Sequence, residues 1–335
     1  MGQRRIRVGA ALIRSALLRA AFVGLIAVLV VQSPQANADD WPQRPIKIIV
    51  PYAPGGAVDL VARLLQPELG KRLGTSIVVE NKAGGAGIPA AETVVRADPD
   101  GYTLGLFSSN YISNAILQKL SFDVVDDITP ITLTTINTVL ILVPSTSSIH
   151  TLDDLITQSK AKPGSLSYGT PGYGTAMYFA GELLKSRAKI NIVHVPFHGA
   201  GPALTALLGD QIPVAIMGIG PAIQYLKDGK LRALAITTEK RSRIMPDIPT
   251  VAELGFPGYR FGEWFAMFGP KGLTPSMRDR IHDAVVQSLN SPVVDEKLAA
   301  VGLESASSTP DELKAFFASE RDRIRAIEAD TKIGQ

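Results

Sequence analysis

Cysteine is absent from the 335 residues of this sequence. That excludes disulfide bonds, a lipid anchor on an N-terminal cysteine, thiolate metal sites and cysteine nucleophiles. The four histidines show no metal-ligand spacing, and neither an H-E-x-x-H nor a G-x-S-x-G pattern occurs. These absences argue against a zinc peptidase and a serine hydrolase, and no pattern requires a metal or a cofactor.

Long apolar runs are also absent, except near the N-terminus. There the basic start "MGQRRIRVGAALIRSALLR" precedes the apolar stretch "AAFVGLIAVLVV" and the small-x-small pattern "ANA" at 36–38. This order is typical of a secretory signal peptide, so residues 1–38 are predicted to be removed. An uncut membrane anchor is the alternative, but the apolar stretch is shorter than the ~20 residues that a membrane span needs. Arg4-Arg5 suggests twin-arginine export, yet no apolar pair follows it at positions 7 and 8, and ordinary secretion is favoured.

The positive net charge of the whole chain comes from this N-terminal segment. It carries five of the 34 basic residues and none of the 31 acidic ones, which leaves 29 basic against 31 acidic residues and a net charge of −2. No basic run remains, so a nucleic-acid partner is not expected.

The remainder alternates short β-rich runs with helical patterns, which is typical of an α/β fold with parallel strands. The strand candidates are "IKIIVPY", "SIVVEN", "YTLGLFS", residues 128–143, "LSYGT", "NIVHVPF", "IPVAIMG" and "LRALAIT". The C-terminal third reads as mostly helical. One helix candidate there is "TVAELG". Thr250 and Glu253 form a capping-box pattern at its start, and Gly255 is a signal for the end of a helix.

Three strand-to-helix connections are rich in glycine: "VPYAPGGAVDL" at 50–60, "GTPGYGT" at 169–175 and "PFHGAG" at 196–201. The first turn of a helix exposes N–H groups without internal partners, and the helix dipole adds partial positive charge there. Glycine lacks a Cβ, so a ligand can approach such groups closely. These loops are therefore candidates for binding a carboxylate or a phosphate; the alternative for any single loop is chain geometry alone.

The kind of anion can be argued from residues that the loops lack. None ends in the GK[ST] of a nucleotide-binding P-loop, and "GYGTAM" has only two glycines of a dinucleotide fingerprint. The first two loops contain no lysine or arginine. Uncharged N–H donors suit a small organic carboxylate better than a highly charged phosphate.

Polar side chains beside the loops are further candidates: Asp59, Ser108, Ser109, Thr170, Thr175 and His198. Asp59 falls in a first helical turn, where it could complement the helix dipole or contact a ligand, and the dipole role is favoured. Ser108 and Ser109 could donate hydroxyls or cap the next helix. His198 is the only histidine expected to face a ligand.

Several motifs, taken in order, resemble the Bug family of periplasmic solute-binding proteins, the receptors of tripartite tricarboxylate transporters. They are "WPQRPIKIIVPYAPGGAVDLVARLL", "VVENKAGGAGIPAAETVVRADPDGYTL", "YGTPGYGT", "VPFHGAGPALTALLGDQI", "LKDGKLRALAITTEKRS", "DIPTVAELGFPGY" and "WFAMFGPKG". The resemblance covers essentially all of the chain after residue 38.

The resemblance implies an α/β fold of two domains joined by a hinge, the type II-like Venus-flytrap fold of periplasmic binding proteins, with a ligand cleft between the domains. The expected boundaries are a signal peptide at 1–38, the first part of domain 1 at 39–140, domain 2 at 141–250 and the rest of domain 1 at 251–335. The chain would cross between the domains near 130–145 and 246–270.

The resemblance also implies which residues contact the ligand. The first loop corresponds to Tyr52, Ala53, Pro54, Gly55, Gly56 and Asp59, the second to Thr170, Gly172, Gly174 and Thr175, and a third segment to Phe197, His198 and Gly199. Here Phe197-His198-Gly199 replaces the Tyr-Lys-Gly frequent in the family. Tyr178 replaces a histidine, and Pro213 and Met217 stand where acids are common. We include Met217 among the expected contacts, and the less polar third face favours an apolar or aromatic carboxylate over citrate.

The function implied is that of a receptor, not an enzyme, in the periplasm of a Gram-negative bacterium. It would act as a monomer that binds a small carboxylate and delivers it to the membrane subunits of a tripartite transporter. One alternative is a sensory module that signals to a membrane kinase. The other is an enzyme that uses the same cleft, for which only Asp59 and His198 are available as acid–base candidates.

Overall fold

The computed structural model describes residues 41–118 and 120–331. The predicted signal peptide, residues 1–38, therefore lies outside the described residues. Within these two ranges the chain builds two β-sheets, each covered by helices. No helix in the described ranges combines the length and the apolar composition that crossing a membrane requires.

Four strands and three helices come first in the chain. They are β1 (Ile46–Val50), α1 (Ala57–Leu73), β2 (Ile77–Asn81), α2 (Ile88–Val95), β3 (Thr103–Ser108), α3 (Asn110–Leu117) and β4 (Ile128–Asn137). After a long excursion the chain returns with β10 (Glu263–Pro270), α8 (Pro275–Leu289), α9 (Pro292–Ala300), β11 (Leu303–Ser305) and α10 (Pro310–Thr331). The strands of these two segments form one sheet, in the order β11-β4-β10-β3-β1-β2.

The second sheet is built from the segment between them. Its elements are β5 (Val139–Pro144), α4 (Leu152–Ala161), β6 (Ser167–Thr170), α5 (Ala176–Ala188), β7 (Val193–Pro196), α6 (Ala200–Leu208), β8 (Val214–Gly218), α7 (Ile219–Lys227) and β9 (Leu231–Ile236). The strand order is β7-β6-β8-β5-β9. Strands β5 and β8 are buried along their whole length, as expected for central strands with helices on both faces.

Parallel pairing fixes which loops share an edge. In the first sheet β1 is parallel to β2 and β3, and in the second β6 is parallel to β7 and β8. The loops that follow these strands therefore lie at the carboxyl edge of each sheet.

The two carboxyl edges meet where the chain passes from one sheet to the other. Strand β4 ends at Asn137, opposite Glu263, and β5 begins at Val139, opposite Gly218 at the end of β8. Only Thr138 separates β4 of the first sheet from β5 of the second. Residues 237–262 lead back from β9 of the second sheet to β10 of the first, and we call Thr138 and residues 237–262 the two linking segments. Thr237 N donates to the Val139 carbonyl at 2.9 Å, so the second segment begins bonded to the strand that directly follows the first.

One helix expected from the sequence does not form. The capping box of "TVAELG" is present, with Thr250 N donating to Glu253 Oε2 at 2.7 Å and Glu253 N to Thr250 Oγ1 at 3.1 Å. The residues after it make turns instead of a helix. Gly255, at φ +102°, ends the segment after a single turn, and the second linking segment continues.

Candidate functional site

The first glycine loop, residues 51–56, follows β1 at the carboxyl edge of the first sheet. Ala53, Pro54 and Gly55 are exposed, whereas Tyr52 and Gly56 are partly buried. Gly55 has φ +89°, a left-handed conformation that glycine adopts without steric cost. The loop thus presents main chain to solvent, as the sequence predicts.

Asp59, in the first turn of α1, holds this loop in place. Its carboxylate accepts hydrogen bonds from Gly55 N at 2.9 Å, Arg63 Nε at 2.9 Å and Asn81 Nδ2 at 2.8 Å. The same Asn81 amide donates to the Tyr52 carbonyl at 3.0 Å. Asp59 is only 2% exposed, and its oxygens are engaged by groups of the chain itself. Its place in the structure is that of a positioning residue for the loop.

The same contacts determine the protonation of Asp59. Burial alone would raise the pKa of this carboxyl group. The hydrogen bonds from Arg63, Gly55 and Asn81 outweigh that effect and hold the pKa below its ordinary value. Asp59 is therefore ionised at neutral pH.

Helix α1 begins without a side-chain cap. Its N-cap residue is Gly56, and the first intrahelical bond runs from Leu60 N to the Gly56 carbonyl at 2.9 Å. The N–H groups of residues 57–59 precede that bond and lack intrahelical partners, as at any helix start. A carboxylate at this point would accept from them and interact favourably with the helix dipole.

Side-chain caps are distributed unevenly between the two edges of the sheets. Helices α1, α2, α6 and α7 follow strands at the carboxyl edges, and each begins at a glycine without a side-chain cap: Gly56, Gly87, Gly199 and Gly218. Helices α4, α8 and α10 begin at the opposite edges and are capped by Thr151, Thr274 and Thr309. Helix α5, capped by Thr175, is the exception at a carboxyl edge. Helices α3 and α9 begin at Ser109 and Ser291, also without a side-chain cap. The uncapped donors are therefore concentrated where the two sheets meet.

A pair of hydroxyl groups lies beside the first loop. Tyr52 Oη is 2.6 Å from Ser108 Oγ at the end of β3. Burial raises the pKa of Tyr52 to about 12, so the phenol stays protonated at neutral pH. Ser109 Oγ, in a residue only 4% exposed, has no hydrogen-bond partner among the described residues. The structure thus brings Tyr52 and Ser108 into contact beside the first loop. Ser109 is the N-cap residue of α3, but its hydroxyl makes no capping hydrogen bond.

The second glycine loop, residues 171–175, follows β6 in the second sheet. Thr170, fully buried, accepts from Gly172 N at 3.3 Å and lies 2.8 Å from His194 Nε2. Thr175 donates to the Gly172 carbonyl at 2.8 Å and accepts from Tyr178 N at 3.3 Å. Both predicted hydroxyls therefore shape the loop itself. Gly172 is partly exposed, and Gly174, at φ +73°, is buried.

The third segment is bonded to the second loop through its main chain. Phe197 N donates to the Thr170 carbonyl at 3.0 Å, and Gly199 N donates to the Pro171 carbonyl at 2.8 Å. His198 between them is exposed, and Phe197 is partly buried. The two loops thus form one surface at the carboxyl edge of the second sheet.

A column of aromatic rings, which the sequence did not predict, begins in the second loop. Tyr173 is 53% exposed, and its ring centroid lies 4.6 Å from that of Tyr178. Tyr178 is followed by His194 at 4.7 Å, and His194 by Tyr168 at 5.0 Å. Burial lowers the pKa of His194 to about 4, so its imidazole is neutral at pH 7. The only signal in the sequence was a tyrosine between two loop glycines.

Met217 does not lie on the surface of this site. It is fully buried in β8 and packs in an apolar cluster with Leu140 and Leu204. Its expected contact with a ligand is therefore corrected: an apolar side chain at this position belongs to the core of the second sheet.

No group of three or more histidine, aspartate or glutamate side chains within residues 41–118 and 120–331 has the geometry of a metal site. A cavity of about 440 Å³ lies against the two linking segments, and none of the predicted ligand contacts lines it. The arrangement at the loops is suited to binding an anion through main-chain donors.

Comparison with known proteins agrees with this arrangement. The sequence pattern of the family described as tripartite tricarboxylate transporter family receptor matches residues 61–332. Protein BugT of Bordetella pertussis is 33% identical over 298 residues, which cover 88% of this chain and 91% of BugT.

Solved structures extend the similarity to the fold. MatC from Rhodopseudomonas palustris, determined with bound malate, is 31% identical with a TM-score of 0.71, over 86% of this chain and 99% of MatC. Rpa4515 of R. palustris, determined with adipate, is 28% identical with a TM-score of 0.75, over 88% of this chain and 99% of Rpa4515. The two sheets are those of the periplasmic binding proteins.

Proposed function

The chain belongs to the tripartite tricarboxylate transporter receptor family, a family of periplasmic solute-binding receptors, and on that premise we propose that it binds one small organic carboxylate at the meeting carboxyl edges of its two sheets. The observation that carries this proposal is the concentration of uncapped helix starts at those edges, with Gly56 from the first sheet and Gly199 from the second. The ligand passes from there to the membrane subunits of a tripartite transporter.

The two sheets act as the two lobes of a hinged clamp in this proposal. Domain 1 takes its strands from residues 46–137 and 263–305, domain 2 from residues 139–236, and the two linking segments serve as the hinge. Closure would bring the loops at residues 51–56 and 171–175 onto opposite sides of the solute and exclude water. Hydrogen bonds to a carboxylate strengthen when water is excluded.

The contacts proposed for the solute are the main chain of Ala53 to Gly56, the second loop at Gly172 to Thr175, and the third segment at Phe197 to Gly199. Tyr52 with Ser108 supplies hydroxyls at the first sheet. Asp59 and Thr170 act indirectly, because their polar atoms are engaged within the loops.

The solute proposed is a carboxylate with an apolar or aromatic body. The exposed ring of Tyr173 and the partly buried ring of Phe197 supply apolar surface at the second sheet. Lysine and arginine are absent from the first two loops, so little positive charge is available for the three carboxylates of citrate. Malate and adipate, seen in relatives, are the reference solutes.

Gly56→Val is the decisive variant. Gly56 has φ −74°, which any residue adopts, and the nearest atom to an added Cβ is the Ala53 carbonyl oxygen at 3.6 Å. Valine should therefore fit the protein but cover the N–H groups of α1. We expect at least a tenfold loss of affinity in calorimetric titrations with benzoate, adipate, malate and citrate, for whichever solute the unmodified protein binds.

Ser291→Val is the matched control, because Ser291 also begins a helix without a side-chain cap and belongs to none of the loops. It should bind as the unmodified protein does. Unchanged affinity in Gly56→Val would contradict the proposed site. Tight binding of citrate with no binding of benzoate or adipate would contradict the proposed solute class. Recovery of chemically unchanged solute after prolonged incubation is expected of a receptor, and conversion would indicate an enzyme.

A further inference from the structure

The cavity of about 440 Å³ lies where the two linking segments pass β11 and α10. We call it the linker cavity. Its walls include Thr138 of the first segment, residues 238–241, 243 and 260–262 of the second, Glu304 of β11, and Phe316 and Arg323 of α10. Its volume falls within the range of sites that bind small molecules.

One wall of the linker cavity is apolar. It is formed by Leu133, Ile136, Phe261, Trp264 and Phe316. Ile136, near the end of β4, is 36% exposed although its strand is paired on both sides, with β10 and β11. The Trp264 ring is 5.4 Å from that of Phe316. An aromatic or branched apolar group would bury surface here that the chain leaves in contact with water.

The lining of the linker cavity also carries guanidinium groups, one of them next to the apolar residues. Arg323 stacks over Phe261, with its Cζ 4.3 Å from the ring centroid. It donates to Glu320 and to the Arg260 carbonyl, yet its Nε is buried without a hydrogen-bond partner in the described part of the chain. Arg260 has a loose ion pair with Glu239 at 3.8 Å. A buried donor without an acceptor is the kind of group that a bound anion satisfies.

Four carboxylates line the linker cavity, and each has a partner within the chain. Glu239 is paired with Arg260 at 3.8 Å, and Glu263 accepts from Asn137 Nδ2 at 2.7 Å. Glu304 accepts from Thr138 at 2.8 Å, from Ser242 at 2.6 Å and from Arg243 N at 3.0 Å. Glu320 accepts from Trp264 Nε1 at 3.2 Å and from Arg323. Glu239, Glu304 and Glu320 are each paired with an arginine, and burial raises the pKa of Glu263, which favours its uncharged form. The carboxylates therefore oppose an entering anion only weakly.

We propose that the linker cavity binds an amphipathic organic anion, with its aromatic or branched body against Ile136 and Trp264 and its acidic group at Arg323 and Arg260. The cavity belongs to no loop of the candidate carboxylate site, so this second site is independent of it. Its walls come from both linking segments, and an occupant therefore stabilises one arrangement of those segments.

The probe for this site is 8-anilinonaphthalene-1-sulfonate, whose fluorescence rises in apolar surroundings, titrated into the full chain. Saturable binding is expected for the unmodified protein. Ile136→Glu places a negative charge on the apolar wall at a solvent-accessible position, and it should weaken binding at least tenfold. Val78→Glu is the control: Val78 is 43% exposed on β2 and outside the cavity, and this variant should bind the probe unchanged.

Competition tests the acidic group. 1-Naphthoate should displace the probe, and 1-naphthalenemethanol, which has the same ring system without the charge, should need at least a tenfold higher concentration. Gly56→Val should retain probe binding, which separates this site from the proposed carboxylate site. The proposal would be overturned if the probe did not bind saturably, or if Ile136→Glu bound it as tightly as the unmodified protein. It would also be overturned if the alcohol displaced the probe as well as 1-naphthoate does, or if Gly56→Val lost probe binding.

Discussion

The side-chain amide of Asn137 donates a hydrogen bond of 2.7 Å to Glu263, which joins the residue where the chain leaves the first sheet to the residue where it returns. The second sheet approaches the same amide, since a Cβ on Gly218 would lie 2.6 Å from Asn137 Nδ2. The end of β4, the start of β10 and the end of β8 therefore meet at one amide group. A movement of the second sheet relative to the first would change the packing of Gly218 against this amide.

Glu263→Gln should stabilise the protein at neutral pH. Burial raises the pKa of Glu263, and the hydrogen bond from Asn137 offsets only part of this effect. Above the ordinary carboxyl pKa of about 4.3 the unfolded chain releases this proton more readily than the folded one, so stability falls as pH rises toward the raised folded value. Glutamine keeps an acceptor for Asn137 and has no proton to lose.

Urea unfolding between pH 3.5 and 8 checks this expectation. The gain from Glu263→Gln should be absent at the acidic end and should grow as pH rises. Glu296→Gln, at an exposed position of α9, should show no such gain. A Glu263→Gln protein less stable than the unmodified one at pH 7 would contradict the prediction.

Asp59→Asn should destabilise the first loop. The neutral amide retains one acceptor but turns a donor toward Gly55 N and Arg63, and we expect a loss of about 1–3 kcal/mol in the free energy of unfolding at pH 7. Because the folded-state pKa of Asp59 lies below its ordinary value, the contribution is complete above that ordinary value. It disappears as pH falls through the lowered one.

Chemical unfolding at pH 7 and at acidic pH measures this difference, which should shrink on acidification. Asp153→Asn, in the first turn of α4, is the matched control, since it removes only a dipole interaction worth about 0.3–1 kcal/mol. Equal losses in the two variants would mean that Asp59 does no more than complement its helix.

Gly181→Ala should destabilise α5 even though alanine is the better helix former. The added Cβ would lie 2.2 Å from Cε2 and 2.5 Å from Cζ of Tyr168, a fully buried ring bonded to Glu182. Overpacking of this kind costs about 1–3 kcal/mol or more. The gain in helix propensity is about 1 kcal/mol, so the clash should prevail.

The control is another glycine within a helix. Gly201 in α6 has no atom within 4 Å of an added Cβ, so Gly201→Ala should be neutral or stabilising. Melting temperatures of the two variants should therefore move in opposite directions, and a stabilised Gly181→Ala would refute the prediction.

Ala86→Gly should raise stability. Ala86 has φ +54° within a run of four left-handed residues, 84–87, and a side chain in that region costs about 1–2 kcal/mol. Glycine relieves this strain, against an unfolded-state entropy cost of about 0.4–1 kcal/mol. Ala83→Gly in the same loop, where φ is not positive, should show only the entropy cost and lose stability. If both variants lose stability equally, Ala86 is not strained.

The sequence predicted the architecture well where one physical signal dominated. The apolar runs "IKIIVPY" and "IPVAIMG" were expected to be strands and contain β1 and β8, and the glycine loops were expected at the starts of helices, where α1 and α6 have them. The β-rich passage at 128–143 forms two strands, β4 and β5, in different sheets. The helix expected at Thr250 was wrong because a capping box specifies only a first turn. Whether that turn continues into a helix depends on the next few residues, and here Gly255 ends it.

The site was less predictable because its roles depend on contacts between distant residues. Nothing local indicates that Asp59 binds Asn81 across 22 positions, or that Thr170 meets His194 across 24. Met217 was misassigned because a position shared with relatives does not reveal which face of a strand it occupies. Tyr173 was not predicted as a site residue, because its place in the site depends on its contact with the ring of Tyr178, which the sequence does not show.

The uncapped helix starts of α1, α2, α6 and α7 at the carboxyl edges also allow a bound solute to be detected by thermal unfolding. A solute that binds the folded protein at those donors, as proposed, adds folding stability of about 2.7 kcal/mol at a hundredfold excess over its dissociation constant. Fractions of a spent growth medium could therefore be ranked by how far each one raises the melting point of the purified protein.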